Sequence, residues 1–555
     1  MNIIEKVKNE INKEVVESLE RLKEKGSIDF DSIPEFALEV PREKNFGDFA
    51  TNIAMLMTKA AKKNPREIAN LLTGEMDLKK TKIERMEIAG PGFINFYLQD
   101  NWLESVVPLI LNEKDRYGSS DFGQGRKVMI EFVSANPTGL LHMGNARGAA
   151  LGDSLAKIMN FAGYDVKKEF YINDSGNQIE NFGKSLEARY FEILGIDCTF
   201  PEDGYHGEDI KVTVQKIVEE YGDSLVEDEN RVEKLINIAL AEKLLAIRED
   251  LANFGVEYDN WFSEKSLHDS GKIQETMDYL RKKGLIYENE GALWLKTTEF
   301  GEEKDEVIQR SNGISTYFAA DIAYHQDKFR RGFDLLINIW GADHHGHVAR
   351  MKGAMGAMGY NPDNLQIIIM QLVRLFRGKE IVRMSKRTGE YITLNELVDE
   401  VGKDAARYFF SMRSPDSHLD FDLELAKEKS SDNPVYYVQY GHTRICSIIK
   451  ASGKESFTSD LAKGKLLIKD EEKALIRRLA DFPEEVRLAA KNMEPHKLTS
   501  YAHDLASLFH SFYNSCKVIG SEKDLMEARL ALVYATKITL KNILDLLGIH
   551  APERM

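Results

Sequence analysis

Apolar residues recur every three or four positions between charges in MNIIEKVKNEINKEVVESLERLKEKG, the spacing of an amphipathic helix and not the unbroken apolar block of a secretory leader. The pattern then runs through Lys44-Asn45-Phe46-Gly47-Asp48-Phe49 into a second helical stretch and alternates in IERMEIAGPGFINFYL like paired strands. Residues 1–110 therefore read as a small α+β domain. From 111 to 430, short apolar runs at 128–133, 335–340 and 367–370 alternate with helical patterns, which predicts an open parallel α/β sheet. Material inserted at about 170–300 separates its halves. From 431 to 555 the pattern is helical throughout. LAKGKLLIKDEEKALIRRLADF, YAHDLASLFHSFYN and ARLALVYATKITLKNILDLLG read as amphipathic helices, with Pro483 and Pro495 as punctuation. The expected fold is thus multidomain α/β: a Rossmann-like parallel-sheet domain with insertions, an N-terminal α+β domain and a C-terminal all-α bundle.

Composition narrows the class. A chain of 555 residues, 43% hydrophobic and 30% charged, holds several domains, and no run reaches the roughly 18 uncharged apolar residues of a membrane span. A cytoplasmic protein is expected, with no membrane partner. Cys198, Cys446 and Cys516 are odd in number and lack a CxxC pair, so neither a disulfide framework nor a thiolate metal site is suggested. The net charge of -16 opposes nonspecific binding to a polyanion, yet leaves room for one basic face.

Two stretches carry candidate chemistry. Asn136-Pro137-Thr138-Gly139-Leu140-Leu141-His142-Met143-Gly144-Asn145 joins a predicted strand to a small-residue helix. There Gly144 admits a ligand to the backbone, the helix start offers N–H groups, and His142 can donate to phosphate. Arg383-Met384-Ser385-Lys386-Arg387-Thr388-Gly389 can close cations over a nucleotide and meet charge on a leaving pyrophosphate. Either motif alone could be an ordinary turn; their pairing in one α/β block is informative. Asp343-His344-His345-Gly346-His347 brings neither thiolates nor an HExxH helix, so no metal site is expected.

These paired motifs resemble the HIGH and KMSKS signatures of class I aminoacyl-tRNA synthetases, and the wider chain resembles the arginyl-tRNA synthetase family. EFVSANPTGLLHMGNARGAALGD, DGYHGEDI, DNWFSEKSL, TYFAADIAYH, WGADHHGH, NPVYYVQYGHTRI and the closing LLGIHAPERM carry that likeness over nearly the whole chain. Asn145 stands where the general motif has His, and Arg383 where it has Lys. The resemblance implies ATP-dependent attachment of L-arginine to tRNA(Arg), with ATP as a magnesium-bound substrate, no tightly bound cofactor and a monomeric enzyme. It implies catalytic roles for His142, Asn145, Lys386 and Arg387. ATP would be held by Gly139, His142, Gly144, Asn145, Met384, Ser385 and Lys386. Arginine would be held by Glu264, Tyr317 and Asp321 around its guanidinium, Asn136 and Glu131 near its ammonium, and His345. The N-terminal domain is implied to touch the outer corner of tRNA, and the C-terminal bundle its anticodon. Two alternatives stand beside this reading: another class I synthetase, and a noncatalytic tRNA-binding relative.

Overall fold

The computed structural model describes residues 3–41, 46–382, 392–454, 457 and 461–555. The helix Ile3–Glu24 buries Ile4, Val7, Ile11, Val15, Leu19 and Leu22 along one stripe, as its spacing predicts. It packs beside the helix Pro65–Glu75 and an antiparallel sheet of β1 (Phe49–Thr51), β2 (Ile83–Ala89) and β3 (Phe93–Leu98), in the order β1-β3-β2. The paired strands are as expected. The stretch entered at Phe49 opens on β1, which was not expected, and then turns helical as expected, through Ile53–Leu56, Thr58–Ala61 and Pro65–Glu75. Three residues are too few for period two to show, and pairing with β3 decides the matter.

The central block contributes β4 (Lys127–Glu131), β5 (Asp165–Ile172) and β6 (Asn260–Ser263), then a separate small sheet of β7 (Ile286–Asn289), β8 (Ala292–Leu295) and β9 (Glu306–Gln309), then β10 (Leu335–Gly341) and β11 (Leu365–Met370). The main sheet has the order β11-β10-β4-β5-β6, and every pairing in it is parallel. The chain thus winds outward from β4 and returns to lay β10 against β4's other edge. Ligands of such sheets sit at that reversal, beyond the carboxyl ends of the two strands. The helix Met143–Phe161 follows β4, and Gly152 lets it lie on the sheet: a Cβ there would meet the Phe132 ring at 2.2 Å. The insertion is mostly three helices, Asn177–Leu194, Glu208–Tyr221 and Arg231–Asn253, around a core of their own built on Phe182, Leu186, Val214 and Leu235.

The C-terminal part is a bundle of Pro434–Ala451, Asp470–Asn492, His496–Ser515 and Lys523–Leu547. Pro483 does not punctuate it. That residue lies inside the helix Asp470–Asn492, with Leu479 four residues before it. Proline has no N–H for that carbonyl, and the loss is made good from another part of the chain: the buried Tyr117 hydroxyl donates to Leu479 O at 2.6 Å. The uninterrupted helix expected from LAKGKLLIKDEEKALIRRLADF is also split, into Leu461–Gly464 and Asp470–Asn492.

One buried cation ties these parts together. Arg407, with no exposed surface, donates to Asp153 Oδ2 at 2.6 Å, to Leu547 O at 3.0 Å and to Phe254 O at 3.2 Å. It therefore joins the helix after β4, the end of the insertion's last helix and the end of the bundle. Burial alone would raise the Asp153 carboxyl, but Arg407, Lys157 and Lys168 outweigh it and hold the pKa at about 2. Arg407→Met, of similar volume, should cost roughly 1–3 kcal/mol for each of the two buried carbonyls it strands, while Lys157 and Lys168 keep Asp153 partnered. Urea unfolding with parent-like midpoint and slope would sink this assignment.

Candidate active site

The turn after β4 is strained, and its neighbours hold it in place. Val133 (φ 68°) and Ser134 (φ 39°) both occupy the left-handed region, unfavourable for a β-branched residue above all. Tyr258 Oη donates to Phe132 O at 3.0 Å, Ser134 Oγ donates to Glu131 at 3.0 Å, and Tyr171 N donates to Ser134 Oγ at 3.1 Å. The turn leads to His142, the N-cap of Met143–Phe161. Gly144 N donates to His142 Nδ1 at 3.1 Å, and Asn145 Oδ1 accepts from His142 N at 3.0 Å. An accepting Nδ1 puts the neutral ring's proton on Nε2, the nitrogen that can donate outward. The same turn is tied to the far side of the second motif, since His142 bridges Thr393 and Leu394 N donates to Leu141 O at 2.8 Å. Arg383, Met384, Ser385, Lys386 and Arg387 themselves lie outside the described residues.

The helix Tyr317–Arg330 is mounted on three strands by polar side chains from one face. Tyr324 Oη donates to Glu169 of β5 at 2.8 Å. His325 Nε2 accepts from Asn338 of β10 at 2.7 Å, while its Nδ1 donates to Asp321 O at 2.7 Å. Lys328 Nζ donates to Glu131 of β4 at 2.6 Å and to Asn338 at 3.2 Å. Burial, and then nearby Lys328, pushes His325 well below the usual histidine range, so the ring is neutral and its one proton sits on Nδ1. Arg331, just past the helix, clamps Glu169 through two bonds of 2.6 and 2.9 Å. Every buried charge here has a partner.

One turn before this mount the charge balance changes. Glu264 is 4% exposed, and its carboxyl is raised to about 7 by burial and by the neighbouring Asp321 and Asp174 carboxylates, against a hydrogen bond from Tyr171. Among the described residues no Lys or Arg pairs with any of the three. Asp174 accepts instead from Ser263 Oγ at 2.5 Å and Lys265 N at 2.8 Å, and Asp321 from His347 Nε2 at 3.0 Å. The Tyr317 hydroxyl lies over Gly176, where a Cβ would stand 3.2 Å away. The cluster is anionic, and Tyr317 beside it is 54% exposed.

The structure thus brings Glu264, Tyr317 and Asp321 to one place and sets His142, Gly144 and Asn145 at the helix start after β4. Glu131 is bonded by Lys328 and Ser134, Asn136 donates to Gln178 at 2.7 Å, and His345 is exposed on the 342–347 turn. Sequence reasoning missed Asp174, Tyr171 and His347. Only His347 carried a signal, as one of three histidines in a motif that gave no way to choose among them.

Glu264 supplies a prediction about stability. Between pH 4.5 and about 7 the folded chain keeps a proton that the unfolded chain has lost, so stability falls as pH rises through that window. Glu264→Gln removes the effect and should stabilise the ligand-free protein above pH 7 by as much as about 3 kcal/mol. Urea midpoints of parent and variant at pH 5 and pH 8 check it: a gap that fails to widen with pH would mean that Glu264 ionises normally.

Comparison with known proteins agrees with this layout. The family described as tRNA synthetases class I (R), catalytic domain matches residues 106–416. An arginyl tRNA synthetase N terminal domain matches 3–98, and a DALR anticodon binding domain matches 438–555. The arginine–tRNA ligases of Desulforamulus reducens and Heliobacterium modesticaldum are each 58% identical, over 100% of both chains. The arginyl-tRNA synthetase structure from Thermus thermophilus superposes with a TM-score of 0.76 at 23% identity, covering 99% of this chain and 100% of its own. Full-length identity at that level, with matches to all three parts, shows that this chain belongs to the arginine–tRNA ligase family.

Proposed function

We infer that this chain attaches L-arginine to tRNA(Arg) through an arginyl-adenylate, releasing AMP and pyrophosphate. One observation carries the reading in this structure: three buried or half-buried carboxylates with no lysine or arginine partner among the described residues stand by the carboxyl ends of the parallel strands, in a chain that is a full-length relative of arginine–tRNA ligases. ATP, entering as its magnesium complex, lies over Gly139, His142, Gly144 and Asn145. The arginine carboxylate attacks the α-phosphorus, and Lys386 and Arg387, with Met384 and Ser385 beside them, meet charge on the departing pyrophosphate. The tRNA 3′ end then takes arginine from the mixed anhydride. No covalent enzyme intermediate is needed, so positioning and preorganised charge supply the rate.

Asp321, Glu264 and Tyr317 surround the guanidinium. A planar guanidinium presents parallel N–H pairs that one carboxylate accepts together, whereas an ammonium is a point charge that leaves acceptors unmatched. Ionised Glu264 is favoured once a cation is beside it. Asn136 serves the substrate ammonium, Glu131 supports the same wall through Lys328 and Ser134, and His345 lies on the turn facing the amino acid. The N-terminal domain (1–110), the catalytic domain (111–430) and the anticodon-binding bundle (431–555) belong to the same proposal, as does a monomer working in the cytoplasm. No described helix is long and apolar enough to cross a membrane.

The test is arginine-dependent ATP–pyrophosphate exchange, which the family resemblance makes dependent on tRNA. Exchange driven by another amino acid would reassign specificity, and none under any condition would favour a binding-only relative. Within an active enzyme, Asp321→Asn should raise the arginine KM by tenfold or more, on the order of one lost charged hydrogen bond, with the ATP KM little changed. An unchanged arginine dependence would remove Asp321 from the pocket. Lys386→Ala should slow adenylate formation roughly 10²–10³-fold while sparing ATP affinity. Equal losses in ATP affinity and rate would give Lys386 a ground-state role.

A further inference from the structure

The proposed pocket depends on how Asp321 is aimed, and the residue that aims it lies on a different element. His347 ends the short 342–347 turn after β10, and its Nε2 stands 3.0 Å from Asp321 Oδ2. Its ring is fixed by two others: Trp340, 5.5 Å away at 35°, and Phe318, 5.7 Å away edge-on at 72°. Its side chain is 20% exposed, against 57% for that of His344 in the same motif. On its own helix, Asp321 is pinned by its carbonyl, which accepts from His325 Nδ1 at 2.7 Å. The main chain of Asp321 is therefore held by the mounted helix and its carboxylate by His347.

We infer that His347 is the positioning residue of the guanidinium pocket, fixing the Asp321 carboxylate so that its remaining lone pairs meet the substrate in one orientation. The inference rests on the arginine reading above and adds to it a residue that does not itself contact substrate. The chemistry is specific. A carboxylate offers about four acceptor sites, and a bidentate guanidinium uses two on one edge. Left to rotate about its terminal bond, Asp321 would lose part of its binding free energy in being ordered. It would also turn towards the protons on Glu264 and Tyr171, since Glu264 is raised to about 7 by burial and its neighbouring carboxylates. Tying down one oxygen beforehand removes that cost, which is how a supporting shell makes a specificity residue effective. With its Nε2 engaged by Asp321 and its ring packed against Trp340 and Phe318, His347 is assigned to aiming and not to binding.

The test uses the full-length enzyme in arginine-dependent exchange and in tRNA charging. His347→Phe keeps the aromatic packing and deletes the donor. It should raise the arginine KM roughly ten- to hundredfold, the range for one hydrogen bond to a charged group. At saturating arginine kcat should stay within about threefold, with the ATP and tRNA KM values unchanged. His347→Gln, whose amide N–H can still donate, should recover most of the loss. In an Asp321→Asn background, His347→Phe should add less than about twofold, because the two act through one contact. An unchanged arginine KM in His347→Phe would overturn the proposal. So would equal losses towards ATP and tRNA, a full further loss in the Asp321→Asn background, or a folded His347→Gln no better than Phe. Should His347→Phe fail to fold, the arginine KM of His347→Leu and of His347→Gln decides in the same way. A parent enzyme that does not use arginine at all would instead overturn the proposed function, an outcome visible before any variant is made.

Discussion

A charge taken out of water must be neutralised where it lies, and Asp153 shows how far this chain goes to meet that requirement. Its carboxylate is buried on the helix after β4, held by Arg407, Lys157 and Lys168. Arg407 in turn needs acceptors for its other donors and finds them at the ends of two remote helices, Leu547 O and Phe254 O. Satisfying one buried ion therefore fixes the catalytic sheet, the insertion and the C-terminal bundle relative to one another. Arg147, nearly two turns earlier on the same helix, repeats the device with carbonyls in place of a bonded carboxylate, donating to Gln371, Ser414 and Ser417. Burial lowers its pKa only to about 10, so it remains charged at neutral pH.

The site departs from this rule. Glu131 has Lys328 and Glu169 has Arg331, but Glu264, Asp174 and Asp321 have no lysine or arginine partner among the described residues. The chain thus spends its own cations on the mount and leaves the next turn of the same helix anionic. In the proposed pocket a guanidinium ligand would complete the pattern that Arg331 completes for Glu169, where two parallel bonds reach one carboxylate. On that proposal specificity for arginine follows from the same geometry, since a compact ammonium cannot occupy both positions.

How much of this was legible in the sequence depended on range. The helix stripe from Ile4 to Leu22, the β2–β3 pair and the alternation of strands with helices are local patterns, and each element appears where its period puts it. The interior Pro483 was misread because its effect is settled at Tyr117, hundreds of positions away. Asp321, Tyr317 and Glu264 were singled out through motifs. Asp174 and Tyr171 were not, because β5 and the loop after it look like any strand and turn until β6 is laid alongside. His347 could not be told from His344 and His345 for a related reason: on a short turn no periodicity assigns faces, and only Trp340, Phe318 and Asp321 single it out.

The departure of Asn145 from the general motif has a physical account in the same terms. At the third position of the helix its Oδ1 reaches back to His142 N, while His142 Nδ1 accepts from Gly144 N. Each residue thus satisfies a donor at the helix start that would otherwise be orphaned. This task requires a short side chain with an acceptor, and an imidazole or a carboxamide can perform it. With the oxygen engaged, the Asn145 nitrogen is left as a neutral donor on the side where the helix dipole favours an anion. The positive charge that an imidazolium could have brought is then supplied by the helix start itself and, in the proposed reaction, by the cations of the 383–391 segment. Just past that segment Thr393 is bridged to His142, so the two parts of the proposed nucleotide site are linked through backbone contacts that do not depend on which side chains fill the variable positions.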